Sequence, residues 1–103
     1  MLEVIRKEVE SMSIAGLTGA LYIFGSSTYK KEPSDVDLLL VINESIVSTK
    51  MAYGLVKPMV DSLREVTELP IDLMILTRAE NAKSGFVDLV AARLIHEFTD
   101  GVA

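Results

Sequence analysis

The sequence predicts one α/β (α+β) domain, a small mixed sheet of about three or four strands flanked by helices. Apolar residues at helical spacing open the chain, short apolar runs read as strands, and a helix-length segment separates the last two of those runs. At 103 residues there is room for a single core over 1–103 and none for a separate substrate domain.

Leu2, Ile5, Val9 and Met12 share one helical face among charged neighbours, so an amphipathic helix is expected first, ended by Gly16 and Gly19. Ala20 to Phe24 reads as a strand stopped by Gly25-Ser26-Ser27. A polar loop from Thr28 to Ser34, with Pro33 in it, leads to the clearest strand, Asp35 to Ile42. That strand is continuously apolar after Asp37, as a strand buried on both faces should be. Ser45 to Thr67 is expected to be helical, with Gly54 and Pro58 kinking or splitting it.

Ile71 to Leu76 makes a further strand. Thr77 and Glu80 have capping-box spacing for a last helix, which would carry Phe86, Val87, Val90, Leu94, Ile95 and Phe98 into the core and fray at Gly101. Strands joined by a long helix pair in parallel through a right-handed crossover, while the short loop between the first two strands implies an antiparallel pair. Helices are expected on one face of the sheet. Met51, Met59 and Met74 are expected as core filling.

Bulk properties narrow the function. The net charge of −5 argues against a nucleic-acid surface, which needs clustered cations, and the aromatic residues are too scattered for a stacking platform. No apolar run approaches a membrane span, and the charges from Glu3 to Glu10 do not suit a secretory signal, so a cytoplasmic address is the default expectation. Without cysteine there is no thiolate site or disulfide framework. The mean hydropathy of +0.36 is high for so small a domain and points to apolar surface for a partner.

The chemistry lies in Asp35-Val36-Asp37 and Asp72. Side chains two apart on a strand project from the same face, and a parallel neighbour starting at Ile71 would bring Asp72 beside them. Such carboxylates repel unless one is protonated or a cation is held between them. Three hard oxygen donors with no His or Cys in the pattern suit Mg²⁺ or Mn²⁺ rather than zinc. Gly25-Ser26, just after a strand, would let a phosphate approach the backbone while the Ser hydroxyl donates to it. Each piece alone is commonplace, an acidic loop cap or an ordinary turn. Together they are equipment for phosphoryl or nucleotidyl transfer.

Phe24-Gly25-Ser26, Ser34 through Val41, and Ile71-Asp72-Leu73 together resemble the DNA polymerase beta-like nucleotidyltransferase superfamily, nearest its minimal nucleotidyltransferase branch. The resemblance covers nearly the whole chain. It implies that Gly25 and Ser26 bind the triphosphate, that Asp35 and Asp37 bind two metal ions, and that Asp72 helps hold the catalytic one and activates the nucleophile. It further implies ATP as donor, a protein hydroxyl as acceptor, and an antitoxin role beside a HEPN-type toxin, with a homo-oligomer as a further arrangement. Many minimal members have an Arg-containing turn after the Gly-Ser. Here the loop is shorter, with Lys30 and Lys31 either in that role or as solvated loop charges. The alternative is a non-catalytic module that keeps the fold and neutralises its partner by contact.

Three lesser expectations remain. His96 reads as a surface or half-packed residue of the last helix, and Arg78 as one half of a structural ion pair, with nucleotide contact as its alternative. The partner is expected on the opening helix, through Leu2, Ile5 and Val9, and on the outer positions of the last helix.

Overall fold

The structure, a computed structural model, describes residues 1–99. Their order is α1 (Leu2–Glu10), β1 (Thr18–Phe24), a 3₁₀ turn (Gly25–Thr28), β2 (Val36–Ile42), α2 (Thr49–Thr67), β3 (Ile71–Thr77), α3 (Arg78–Ser84), α4 (Phe86–Leu89) and β4 (Arg93–Thr99). The sheet is mixed and four-stranded, ordered β3-β2-β1-β4. β1 runs antiparallel to both β2 and β4, while β3 lies parallel to β2.

One sheet face carries Leu21, Ile23, Leu38, Leu40, Ile42 and Ile75 into a core closed by Ile5 and Val9 of α1 and by Val56, Met59 and Leu63 of α2. α2 remains one helix through Gly54 and Pro58, both of which lie on its exposed side. It starts later than the expected Ser45: Ser48 caps it by accepting the Met51 N–H at 3.2 Å. The loop before that cap is a turn held by Asn43, whose carbonyl side chain accepts the Ser45 N–H at 3.1 Å.

Several expectations are corrected. The last apolar segment is a strand, not a helix. The Thr77–Glu80 capping box does start a helix, but α3 ends at Ser84, and Gly85 turns the chain at φ +64° into the single turn of α4. Ala91, at φ +51°, then sends it back along β1. Gly101 lies outside the described residues.

Helices also occupy both faces of the sheet. Phe86 of α4 packs edge-on against Phe24, with centroids 5.6 Å apart, on the face opposite Leu21 and Ile23. Met59 is core, but Met51 and Met74 are exposed. Ile5 and Val9 are fully buried, so the inner face of α1 closes the core and is not open to a partner. The last helix, whose outer positions were expected to receive a partner, does not form: Arg93–Thr99 is β4.

Candidate metal centre

Strand pairing assembles the site. Asp37 and Asp72 are directly paired across the parallel β2–β3 ladder, and neighbours paired in this way project from the same face. Asp35 precedes β2 by one residue instead of belonging to it, yet its side chain still reaches the other two. One carboxylate oxygen from each residue lies within 4.8 Å of the others. At that spacing small side-chain rotations would let the three oxygens share one metal ion. Asp35 and Asp37 are half-buried and Asp72 is exposed, which leaves the cluster open to solvent on one side.

Electrostatics favour a cation there. Burial pushes the Asp37 carboxyl above its ordinary value, and the negative charges of Asp35 and then Asp72 push it further. Among the described residues no Lys or Arg pairs with any of the three, since every ion pair lies on α1 or α2. Three carboxylates with hard oxygen donors and no internal counter-charge fit a divalent ion.

The turn after β1 is built around the same carboxylate. Phe24 is paired with Asp37 across β1 and β2, and Gly25 follows at φ +76°. Lys30 N–H closes the 3₁₀ turn onto the Ser26 carbonyl at 2.8 Å, and the Thr28 hydroxyl donates to the Gly25 carbonyl at 2.7 Å. Ser26 makes no side-chain hydrogen bond among the described residues, so its hydroxyl is free to donate. Gly25, Ser26 and the three Asp residues therefore belong to one corner of the fold.

Lys30 and Lys31 are exposed on the loop that follows this corner, without ion pairs among the described residues. Arg78 opens α3 exposed and likewise forms no ion pair, contrary to expectation. His96 sits half-buried on β4, with its ring edge-on to Phe98 at 4.8 Å.

The chain matches no family model and no curated protein.

Two features near the site escaped sequence reasoning. Phe86 borders the turn through Phe24, a contact between distant segments that no local pattern announces. A groove of about 480 Å³ runs between α2 and β3, lined by Tyr53, Lys57, Asp61 and Arg64 together with Asp72. The α2 residues recur at three- and four-residue steps along one helical stripe, so their spacing is the signal that the sequence carries for this groove. No helix among the described residues is long and apolar enough to cross a membrane.

Proposed function

We propose that this chain is a metal-dependent nucleotidyltransferase that passes a nucleoside monophosphate, AMP from ATP, to a hydroxyl acceptor. The observation that carries the reading is the convergence of the Asp35, Asp37 and Asp72 oxygens beside a glycine turn with no room for a side chain. Asp35 and Asp37 would hold Mg²⁺ or Mn²⁺, with Asp72 completing the set. Bound divalent ions supply charge neutralisation for the attacking and leaving oxygens of an in-line displacement.

The chain's own residues do the rest. Gly25 lets the triphosphate approach the backbone, and the Ser26 hydroxyl donates to a phosphate oxygen. Asp72, the most exposed of the three, faces the side from which an acceptor arrives and takes the hydroxyl proton. The acceptor oxygen bonds to the α-phosphorus as the bond to the β-phosphate oxygen breaks, and pyrophosphate leaves. This machinery resembles that of minimal nucleotidyltransferases, whose resemblance also supports a HEPN-type protein acceptor and an antitoxin role.

The short loop after Gly25-Ser26, which has Lys30 and Lys31 but no Arg, favours a second reading, in which the chain keeps nucleotide affinity but acts by contact alone. The two separate in one assay. Each NTP, labelled on its α-phosphate, is incubated with the chain and Mg²⁺, with and without the product of the neighbouring gene. Label on protein, with pyrophosphate released and both lost in Asp37→Asn, supports transfer. Complex formation without label transfer supports the contact reading.

A further inference from the structure

The sheet face that carries the carboxylates turns apolar immediately beside them. Phe24 is the direct cross-strand neighbour of Asp37, and paired side chains of an antiparallel ladder share a face, with Cβ atoms about 4.5–5.5 Å apart. The next residue of β2 on that face, Leu39, is fully buried. Phe86 meets Phe24 at nearly a right angle, with ring centroids 5.6 Å apart. Both rings are half-buried, so each keeps part of its surface open.

The short turn of α4 holds Phe86 in that place. Gly85 redirects the chain at φ +64°, the Phe86 N–H donates to Ser84 Oγ at 3.3 Å, and the Val87 N–H donates to Asn81 Oδ1 at 3.2 Å. None of the four residues of α4 is buried, so the turn adds little to the core. What it supplies is an aromatic ring beside the metal centre.

We infer that Phe86, braced by Phe24, is the platform on which the base of a purine nucleoside triphosphate stacks. The inference rests on the transferase reading for where the phosphates lie. In an in-line displacement the pyrophosphate leaves towards Gly25 and Ser26 while the acceptor enters past Asp72, so both ends of that line are taken. The ribose and base leave it sideways, and the aromatic surface on the same face as Asp37 is that of Phe24 and Phe86. Stacking accepts every base by its π-face and grows with the area covered, which favours purines over pyrimidines. Telling adenine from guanine needs hydrogen bonds to the base edge. The acceptor atoms next to Phe86, Ser84 Oγ and Asn81 Oδ1, already serve the backbone of the turn. The platform therefore takes ATP and GTP alike.

The test uses the full chain with Mg²⁺ and the α,β-methylene analogues of ATP, GTP, CTP and UTP, which bind without reacting. Inorganic tripolyphosphate serves as the probe without a base, and affinities are read by calorimetry. The two purine analogues are expected to bind about tenfold tighter than the two pyrimidine ones. Phe86→Leu keeps an apolar side chain against Phe24 but removes the ring. It should melt close to wild type and bind tripolyphosphate equally well, yet lose the purine preference, whereas Phe86→Tyr should retain it. A preference that survives in Phe86→Leu, or a wild type that binds tripolyphosphate but shows no preference, overturns the inference and leaves the transferase reading standing. If neither the analogues nor tripolyphosphate bind, both fall. Purine binding that depends on Phe86, with no pyrophosphate released from ATP or GTP, upholds the platform and counts against the transferase reading.

Discussion

A Cβ placed on Gly25 would stand 2.6 Å from Oδ2 of Asp37, closer than real Cβ contacts allow. The backbone at Gly25 is also left-handed, at φ +76°, so a side chain there is opposed both by the carboxylate and by its own peptide geometry. Gly25→Ala must displace Asp37 or distort the turn. It is expected to cost about 1–2 kcal/mol of stability in urea titration and to lower metal affinity at the same time. A variant with wild-type stability and metal binding would show that the contact constrains nothing.

Asp37→Asn is expected to stabilise the metal-free chain while abolishing transfer. A carboxyl whose folded pKa is raised binds its proton more tightly in the folded state, so stability falls as pH rises through the window between the unfolded and folded values. Above that window the loss is complete, and the asparagine variant avoids it. At neutral pH it should melt above wild type, a gain that shrinks as the pH falls into the ordinary carboxylate range. Unfolding of Asp37→Asn would make this carboxylate structural and remove the main support for catalysis.

Addition of Mg²⁺ or Mn²⁺ should raise the melting temperature in proportion to the logarithm of its concentration above Kd, since an ion bound only by the folded state stabilises it by mass action. Asp35→Asn, Asp37→Asn and Asp72→Asn should each remove most of that rise, and Ca²⁺, which prefers more ligands at longer distances, should give less. Equal shifts in wild type and all three variants would locate the effect elsewhere.

Glu44 ties the loop after β2 to the start of α3. Its own N–H, then that of Ala79, whose nitrogen lies 3.0 Å from its carboxylate, hold its pKa below the ordinary value. A depressed carboxyl contributes stability above its unfolded pKa and loses it as pH falls through the folded value. Glu44→Gln should therefore melt earlier than wild type at pH 7, and the two should converge in acid. A constant difference from neutral to acidic pH would show that the charge is not what matters.

Much of the site was legible in the sequence because it depends on local spacing. Asp35 and Asp37, two residues apart, and Asp72, at the start of the next parallel strand, needed only strand periodicity and one correct pairing to be brought together. The glycine after β1 was equally readable, since a tight turn beside a carboxylate demands it. The surroundings of Arg78 were not, because a cation's partner is set by tertiary neighbours and not by its sequence position.

The alternation of strand and helix as far as Thr77 was determined by the sequence alone, through apolar periodicity and the Thr77–Glu80 cap. What followed was decided by the tertiary structure. Leu94, Ile95 and Phe98 have helical spacing, and local pattern reads them so. The ladder between β1 and β4 shifts register between Leu21 and Tyr22, which pair with His96 and Leu94 and leave Ile95 as an extra residue. That bulge lets Ile95 and Phe98, three apart, both reach the core from a strand, so the odd spacing that imitates a helix comes from a strand with one residue inserted. The choice between the two rests on β1, whose open edge offers a row of backbone hydrogen bonds that a helix at this place would have left unmade.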